Sequence, residues 1–239
     1  KMLKFMLDNR IDTTHVKKVS GSTIGLYLIS LVNGERTFSY WRNNSAATLL
    51  GQNINDVEHA VKKQDMIYFS GITLAILDPS SRNNLFSCLK SARCAGKKIA
   101  FDPNLRPKLW SDKKEMCDVI MAGANLSDII LPSFDDEATW FSDANPVATL
   151  KRYQKVGAEI VVVKNAGEPV SFISNQGMGT HPVQSIGTVV DSTAAGDSFN
   201  SEILVGILRK IPLSEAISNG ANLAKKVIMG HGALIKSDI

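Results

Sequence analysis

From about residue 56 to its end, the chain alternates short apolar runs with longer stretches that open on helix-capping residues. This alternation limits the fold more than any other feature. Residues 66–70, 99–102, 128–131 and 159–164 read as buried strands, and 170–174 as a shorter one. Each is an apolar run of strand length rather than helix length. Helices between them are expected to start at Asp56, Ser81, Asp112, Ser133 and Asn145, the last followed by Pro146. Two longer helices, about 196–210 and 214–229, come last. Strands alternating with helices imply an α/β fold, with a largely parallel sheet covered on both faces. Ligands of such sheets bind at the carboxyl ends of the strands. The polar residues just after each run are therefore the candidates for chemistry.

The preceding region differs in character. Residues 23–32 and 36–42 are strand-like and flank Asn33-Gly34, the strongest short-range signal for a two-residue hairpin. With that turn, the numbers of opposed residues sum to 67, so Tyr27 faces Tyr40 and Gly25 faces Arg42. Side chains alternate along a strand, so Gly25, Tyr27, Ile29, Phe38, Tyr40 and Arg42 share one face. Two phenols and a guanidinium meet there, with a glycine leaving room above the arginine. The same pattern also suits plain cross-strand packing. A hairpin of this kind is marginal alone and needs something to pack on.

Composition excludes several classes. No run of about 18 apolar residues occurs, so no membrane-spanning helix is expected. The formal charge of +4, from 27 basic and 23 acidic residues, is too scattered to argue for nucleic acid. Cys88, Cys94 and Cys117 have neither zinc-ligand spacing nor an even number, and the first two sit in helix-like sequence. Buried thiols and a reducing cytoplasm are the expectation. His15, His59, His181 and His231 form no ligand pair. The opening residues 1–6 read as a helix already under way, without an initiator methionine or a signal-peptide pattern, so a further N-terminal segment is expected.

The most informative stretch is 189–199, Val-Val-Asp-Ser-Thr-Ala-Ala-Gly-Asp-Ser-Phe. An extended segment meets small residues and then opens a helix. The amides of Ala194, Ala195 and Gly196 would face outward there, free of bulky side chains, at the positive end of a helix dipole. Asp197 in the first turn would reach the same anion and is able to accept a hydroxyl proton. On the residues alone, a plainer account is also open: Thr193 caps the helix and Asp197 favours its dipole.

This stretch resembles the C-terminal signature of the ribokinase, or PfkB, superfamily of carbohydrate kinases, D-T-x-G-A-G-D-x-F. Ser192 stands for the usual threonine and Ala194 for the first glycine. Within the superfamily it is similar to the variant used by 2-keto-3-deoxygluconate kinases. Tyr40-Trp41-Arg42 resembles that subgroup's lid motif, residues 101–110 its D-x-N-x-R-P-x-L-W segment, and residues 131–137 the stretch after its next strand. The likeness runs from the hairpin to Gly232-Ala233.

The resemblance implies a ribokinase-like three-layer α/β/α sandwich with a small β-sheet lid at 16–43 and the remainder, 1–15 and 44–239, as the catalytic domain. It implies ATP-dependent phosphorylation of 2-keto-3-deoxygluconate at its 6-hydroxyl, with Asp197 as base and Ala194, Ala195 and Gly196 as anion hole. Tyr27, Tyr40, Arg42 and Arg106 become substrate contacts. Asn104, Arg106, Lys164, Asn165, Gly167 and Asn222 become ATP contacts, the K-x-G-like loop Lys164-Asn165-Ala166-Gly167 lacking the family's second glycine. Mg²⁺ would be held indirectly by Asp136 or Glu137, and lids of this kind often pair in homodimers. A sugar acid suits two arginines, whose forks match a carboxylate. The alternatives are a kinase for a neutral sugar such as fructose or ribose, and a non-catalytic sugar-acid or nucleotide sensor. Arg106 also suits a structural pairing with Asp102 or Glu137, and Lys164 an ordinary strand end. Neither G-x-x-x-x-G-K-[ST] nor G-x-G-x-x-G occurs, which removes the P-loop and dinucleotide-binding readings. Glu202, just after the signature, has no physical account.

Overall fold

Short polar side chains start most of the helices in the computed structural model, which describes residues 1–32, 35–184 and 189–234. The side chains at 29–32, 35–38 and 40 lie outside that description. Helix α1 (Met2–Asp8) is followed by strands β1 (Leu26–Val32) and β2 (Glu35–Trp41), then α2 (Ile54–Val61), β3 (Met66–Ser70), α3 (Gly71–Ile76) and α4 (Pro79–Cys94). Next come β4 (Lys98–Asp102), α5 (Lys113–Asn125), β5 (Ile129–Ile130), α6 (Phe134–Phe141), α7 (Pro146–Lys155) and β6 (Ile160–Val163). Strands β7 (Val170–Ser174) and β8 (Gly177–His181) and helices α8 (Ala195–Leu208) and α9 (Leu213–Ile228) complete the order. No helix among the described residues is long and apolar enough to cross a membrane.

Contacts divide the chain into two units, Lys1–Ile67 with Thr73–Lys97 and Tyr68–Ile72 with Lys98–Ile239. In the first, β1 and β2 pair antiparallel in the expected register, Tyr27 opposite Tyr40 and Leu26 opposite Trp41. The Asn33-Gly34 turn and the Tyr40 side chain lie outside the described residues. A Cβ on Gly25 would come within 3.2 Å of the Arg42 Cβ, so glycine gives that arginine its room. Two helix starts fall earlier than expected. Helix α2 is capped by Asn53, whose side chain accepts from the Asn55 amide, and α4 by Asp78, which accepts from the amides of Ser80 and Ser81. Asp78 wins over Ser81 because Pro79 fills the first helical position, where a missing N–H costs nothing. Cys88 is buried as expected, but Cys94, at the last turn of α4, is exposed.

The sheet runs β3-β4-β5-β6-β7-β8 in spatial order. Pairs β4–β5 and β5–β6 are parallel, and β6–β7 and β7–β8 are antiparallel. Strand β8 was not expected, because Gly-Met-Gly-Thr-His carries no apolar run. It joins through backbone bonds to β7 after a turn closed by the Gln176 amide on Ser174 Oγ, with Gly177 at φ +121°. Val161, Val162 and Val163 in β6 are fully buried. Each such side chain contributes roughly 1.5–3 kcal/mol over an exposed position.

Helices α6 and α7 are joined by a buried ionic cluster. Arg152 Nη2 donates to Glu137 Oε2 at 2.5 Å and to Asp143 Oδ2 at 2.6 Å, and the Tyr153 hydroxyl sits 3.0 Å from both Glu137 oxygens. The Arg152 guanidinium also lies over the rings of Phe141 and Tyr153. Glu137 is fully buried. This corrects the expectation that it serves an ion near the phosphates: the side chain points into the core and both its oxygens are engaged. Burial pushes its carboxyl up to about 7, with Arg152 opposing the rise. Its ordinary value is 4.5, so between about 4.5 and 7 the folded chain holds a proton that the unfolded chain has lost. Stability from this group therefore falls as pH rises through that window. Glu137→Gln removes the titration, and urea unfolding at about pH 5 and about pH 7.5 should show a smaller stability difference for the variant than for the unaltered protein.

Candidate active site

The carboxyl ends of β4 and β6, with Tyr68 from the middle of β3, converge on one polar network that is buried except at the Tyr68 side chain. Lys164, just after β6, donates from Nζ to the Leu131 carbonyl at 2.6 Å, to Asn200 Oδ1 at 3.0 Å and to Asp102 Oδ2 at 3.4 Å. Asn200, on α8, donates from Nδ2 to Asp102 Oδ2 at 2.7 Å and to the Tyr68 hydroxyl at 3.3 Å. Asp102 Oδ1 accepts from the Asn104 amide at 3.1 Å, which shapes the loop leaving β4. Burial raises the Tyr68 phenol well above its ordinary value, and the charges of Asp102 and then Asp197 push it further. Beside this network, Gly71 approaches the Pro103 carbonyl so closely that a Cβ there would collide with it.

Helix α8 starts as the small residues suggested. Asp191 Oδ1 accepts from both the amide and the hydroxyl of Thr193, which closes the loop before the helix. Ala194 is the N-cap in a left-handed conformation, φ +64° and ψ +8°, with no side-chain cap bond. Thr193 is thus not the cap: its hydroxyl is turned back onto Asp191. A Cβ added to Gly196 would meet nothing within 4 Å, so open space lies before the first turn. Asp197 is exposed in that turn.

Ala195 and Gly196 border a cavity of about 620 Å³. Its other walls are the loop Lys164-Asn165-Ala166-Gly167, the start of α6 at Ser133, Phe134 and Asp135, and an apolar side of Val170, Val183, Val189, Phe199, Ala221, Ala224 and Ile228. Lys225 and Gln184 also line it and share a hydrogen bond of 3.1 Å. Ala166 in the loop is left-handed at φ +46°. A neighbouring cavity of about 300 Å³ is lined by His181, Gln184, Ser218 and Asn222.

The expected residues divide accordingly. Asn165, Gly167, Ala195 and Gly196 meet at the larger cavity, and Asn222 lines the smaller one. Asp197 sits one residue beyond the lining. Arg106 is exposed after β4, and its Nη1 donates to the Leu105 carbonyl. Its charge lowers the half-buried Asp136, whose carboxyl is nonetheless raised overall because burial is the larger effect. Neither proposed structural partner holds Arg106, since Asp102 and Glu137 are engaged elsewhere. Lys164 needs correction as a nucleotide contact: its ammonium is directed inward onto three oxygen acceptors. Among the described residues, no three of His, Cys, Asp and Glu cluster as a metal site. Tyr27 and Arg42 belong to the other unit, Tyr27 half exposed and Arg42 partly buried. Sequence reasoning missed the apolar wall because its residues come from β7, from Val183 and Val189, and from α8 and α9, and are individually unremarkable. The alanine spacing of Ala221 and Ala224 was the one available sign.

The family model for pfkB family carbohydrate kinases matches residues 1–239. The chain belongs to the pfkB carbohydrate kinase family. It is a phosphotransferase with an alcohol acceptor, on the ribokinase-like fold. It is 38% identical over 240 residues to a 2-dehydro-3-deoxygluconokinase of Haemophilus influenzae, covering 98% of this chain and 76% of the relative. It is 35% identical to the enzyme of the same name from Dickeya dadantii, covering 94% and 74%. Among solved structures, a PfkB protein from Polaromonas sp. JS666 superposes with a TM-score of 0.84 at 26% identity, covering 96% of this chain and 75% of that one. In this pfkB-family kinase, Ala194 stands in a conformation that costs an L-residue with a Cβ about 1–2 kcal/mol. Ala194→Gly should therefore raise stability by about 1 kcal/mol in urea unfolding, whereas Ala194→Val should lower it.

Proposed function

We propose that the protein transfers the γ-phosphoryl group of ATP to the 6-hydroxyl of 2-keto-3-deoxygluconate. The observation that carries this reading is the start of α8, where an exposed carboxylate at Asp197 follows Gly196, which opens onto a cavity of nucleotide size. The acceptor O–H gives its proton to the Asp197 carboxylate as its oxygen bonds to the γ-phosphorus. The bond from that phosphorus to the β–γ bridging oxygen breaks, and ADP departs. The amide of Gly196, with the left-handed Ala194 two residues before it, stabilises the charge that develops on the phosphoryl oxygens, whereas the Ala195 amide is already donated to the Ser192 carbonyl at 3.3 Å and leaves the expected anion hole. Arg106 reaches toward those oxygens from the end of β4. The apolar wall of the larger cavity suits a planar base, with Asn165, Gly167 and, at the smaller cavity, Asn222 as further nucleotide contacts.

Mg²⁺ fits this donor set, because it keeps most of its water and typically takes only one or two carboxylates beside the phosphates. Asp136, next to Arg106, would hold it through water, and the ion would neutralise charge shared by the phosphates. For the substrate, Arg42 and Arg106 match a carboxylate, and Tyr27 and Tyr40 match hydroxyls. The names of the two relatives support the same substrate. A reducing cytoplasm suits the free thiols Cys88, Cys94 and Cys117.

Asp197→Asn should lower kcat by roughly 10²–10⁴-fold while ATP affinity stays within a few fold. Unchanged turnover would remove Asp197 as the base. A panel of ketodeoxygluconate, fructose and ribose, followed by ADP release, tests the substrate; turnover of fructose alone would overturn the sugar-acid assignment. We further propose a homodimer formed through the hairpin, on whose one face Ile24, Leu26, Leu28 and Trp41 are all exposed. Leu28→Ser with Trp41→Ser should shift the particle to monomer mass in light scattering.

A further inference from the structure

The mechanism uses the first turn of α8 but leaves unexplained what fixes the direction of that turn. Asn200 lies three residues beyond Asp197 on the same helix, so the two side chains lie on neighbouring positions of the helix surface. It is only 1% exposed, and both ends of its amide are used. Its oxygen faces the Lys164 ammonium at 3.0 Å, and its nitrogen faces the Asp102 carboxylate at 2.7 Å and the Tyr68 hydroxyl at 3.3 Å. Only an amide in that one orientation answers a cation on one side and an anion on the other. A carboxylate at 200 would put like charges 2.7 Å apart, and an apolar side chain would strip partners from two buried ions.

We infer that Asn200 is a positioning residue, which locks α8 to the ends of β4 and β6 and thereby aims Asp197 and the Gly196 amide. The lock is polar and directional, unlike the apolar contacts elsewhere along α8. Phe199, the preceding residue, packs against Gly220 of α9 and restrains the helix from a second direction, about 100° around the axis. Rotation about the helix axis is therefore set at 199 and 200 together, within one turn of the carboxylate that acts. Catalytic geometry tolerates little error of this kind, since displacements near 1 Å cost about a hundredfold.

The inference rests on Asp197 acting as the base, and its test exchanges the two polar partners. Asn200→Asp alone should lower kcat at least tenfold while the KM for ATP stays within threefold. Asp102→Asn combined with Asn200→Asp restores the 102–200 bond and the Lys164–200 bond with polarity reversed, and gives up only the longer 3.4 Å contact of Lys164 to residue 102. The new carboxylate accepts from Lys164 and from the new amide, which still accepts from the Asn104 backbone. This double variant should recover kcat to within threefold of the unaltered protein. A general loss of packing would not be cured by the exchange, and it would not separate kcat from KM. Full turnover in Asn200→Asp overturns the inference, and so does a double variant that stays inactive, folded or not by circular dichroism. Failure of the underlying reading shows separately, as undiminished turnover in Asp197→Asn.

Discussion

An ammonium and a carboxylate held in the interior, Lys164 and Asp102, organise the working edge of this protein. Neither would survive there without further partners, because desolvating a charge costs several kcal/mol. The Leu131 carbonyl, the Asn104 amide and the side chain of Asn200 supply them. Three strand ends and one helix are thus joined by groups that tolerate little movement. Apolar packing would hold the same elements together but would permit sliding. Directional bonds between buried charges do not.

The exposed groups gain from this. The carboxylate at 197 and the open space before Gly196 stay at the surface, where substrates arrive, while their support is dry. The loop after β6 shows the same division of labour. Lys164 turns inward, and the residues that follow it, 165–167, line the cavity. A single short segment supplies both anchor and wall.

Much of this was legible in the residues. Strand positions followed from apolar runs, the hairpin register from Asn33-Gly34, and the α8 start from a cluster of small residues. What failed to show were features made by distant partners. Strand β8 has no apolar pattern because its pairing is all backbone. Glu137 looks like its acidic neighbours until α7 brings Arg152 and Tyr153 against it. Lys164 reads as a surface cation because Asn200 lies 36 positions away along the chain. The caps at Asn53 and Asp78 lie three residues before the expected Asp56 and Ser81, which is local competition between nearby polar side chains rather than a long-range effect. Ala194 and Ala166, left-handed without being glycine, carry no sign of it in their own chemistry.

Three successive acids open α6, and the helical turn of about 100° per residue sends each to a different environment. Asp135 borders the cavity, Asp136 is half-buried within the field of Arg106, and Glu137 enters the core. The reading frame of that turn is consequently fixed by three surroundings at once. Inserting or deleting one residue before it would bring the wrong acid to every destination, exposing the anchor, burying a solvent-facing charge and leaving Arg152 with Asp143 alone. Such a segment is free to change in composition only where shape and charge are kept, and hardly at all in length.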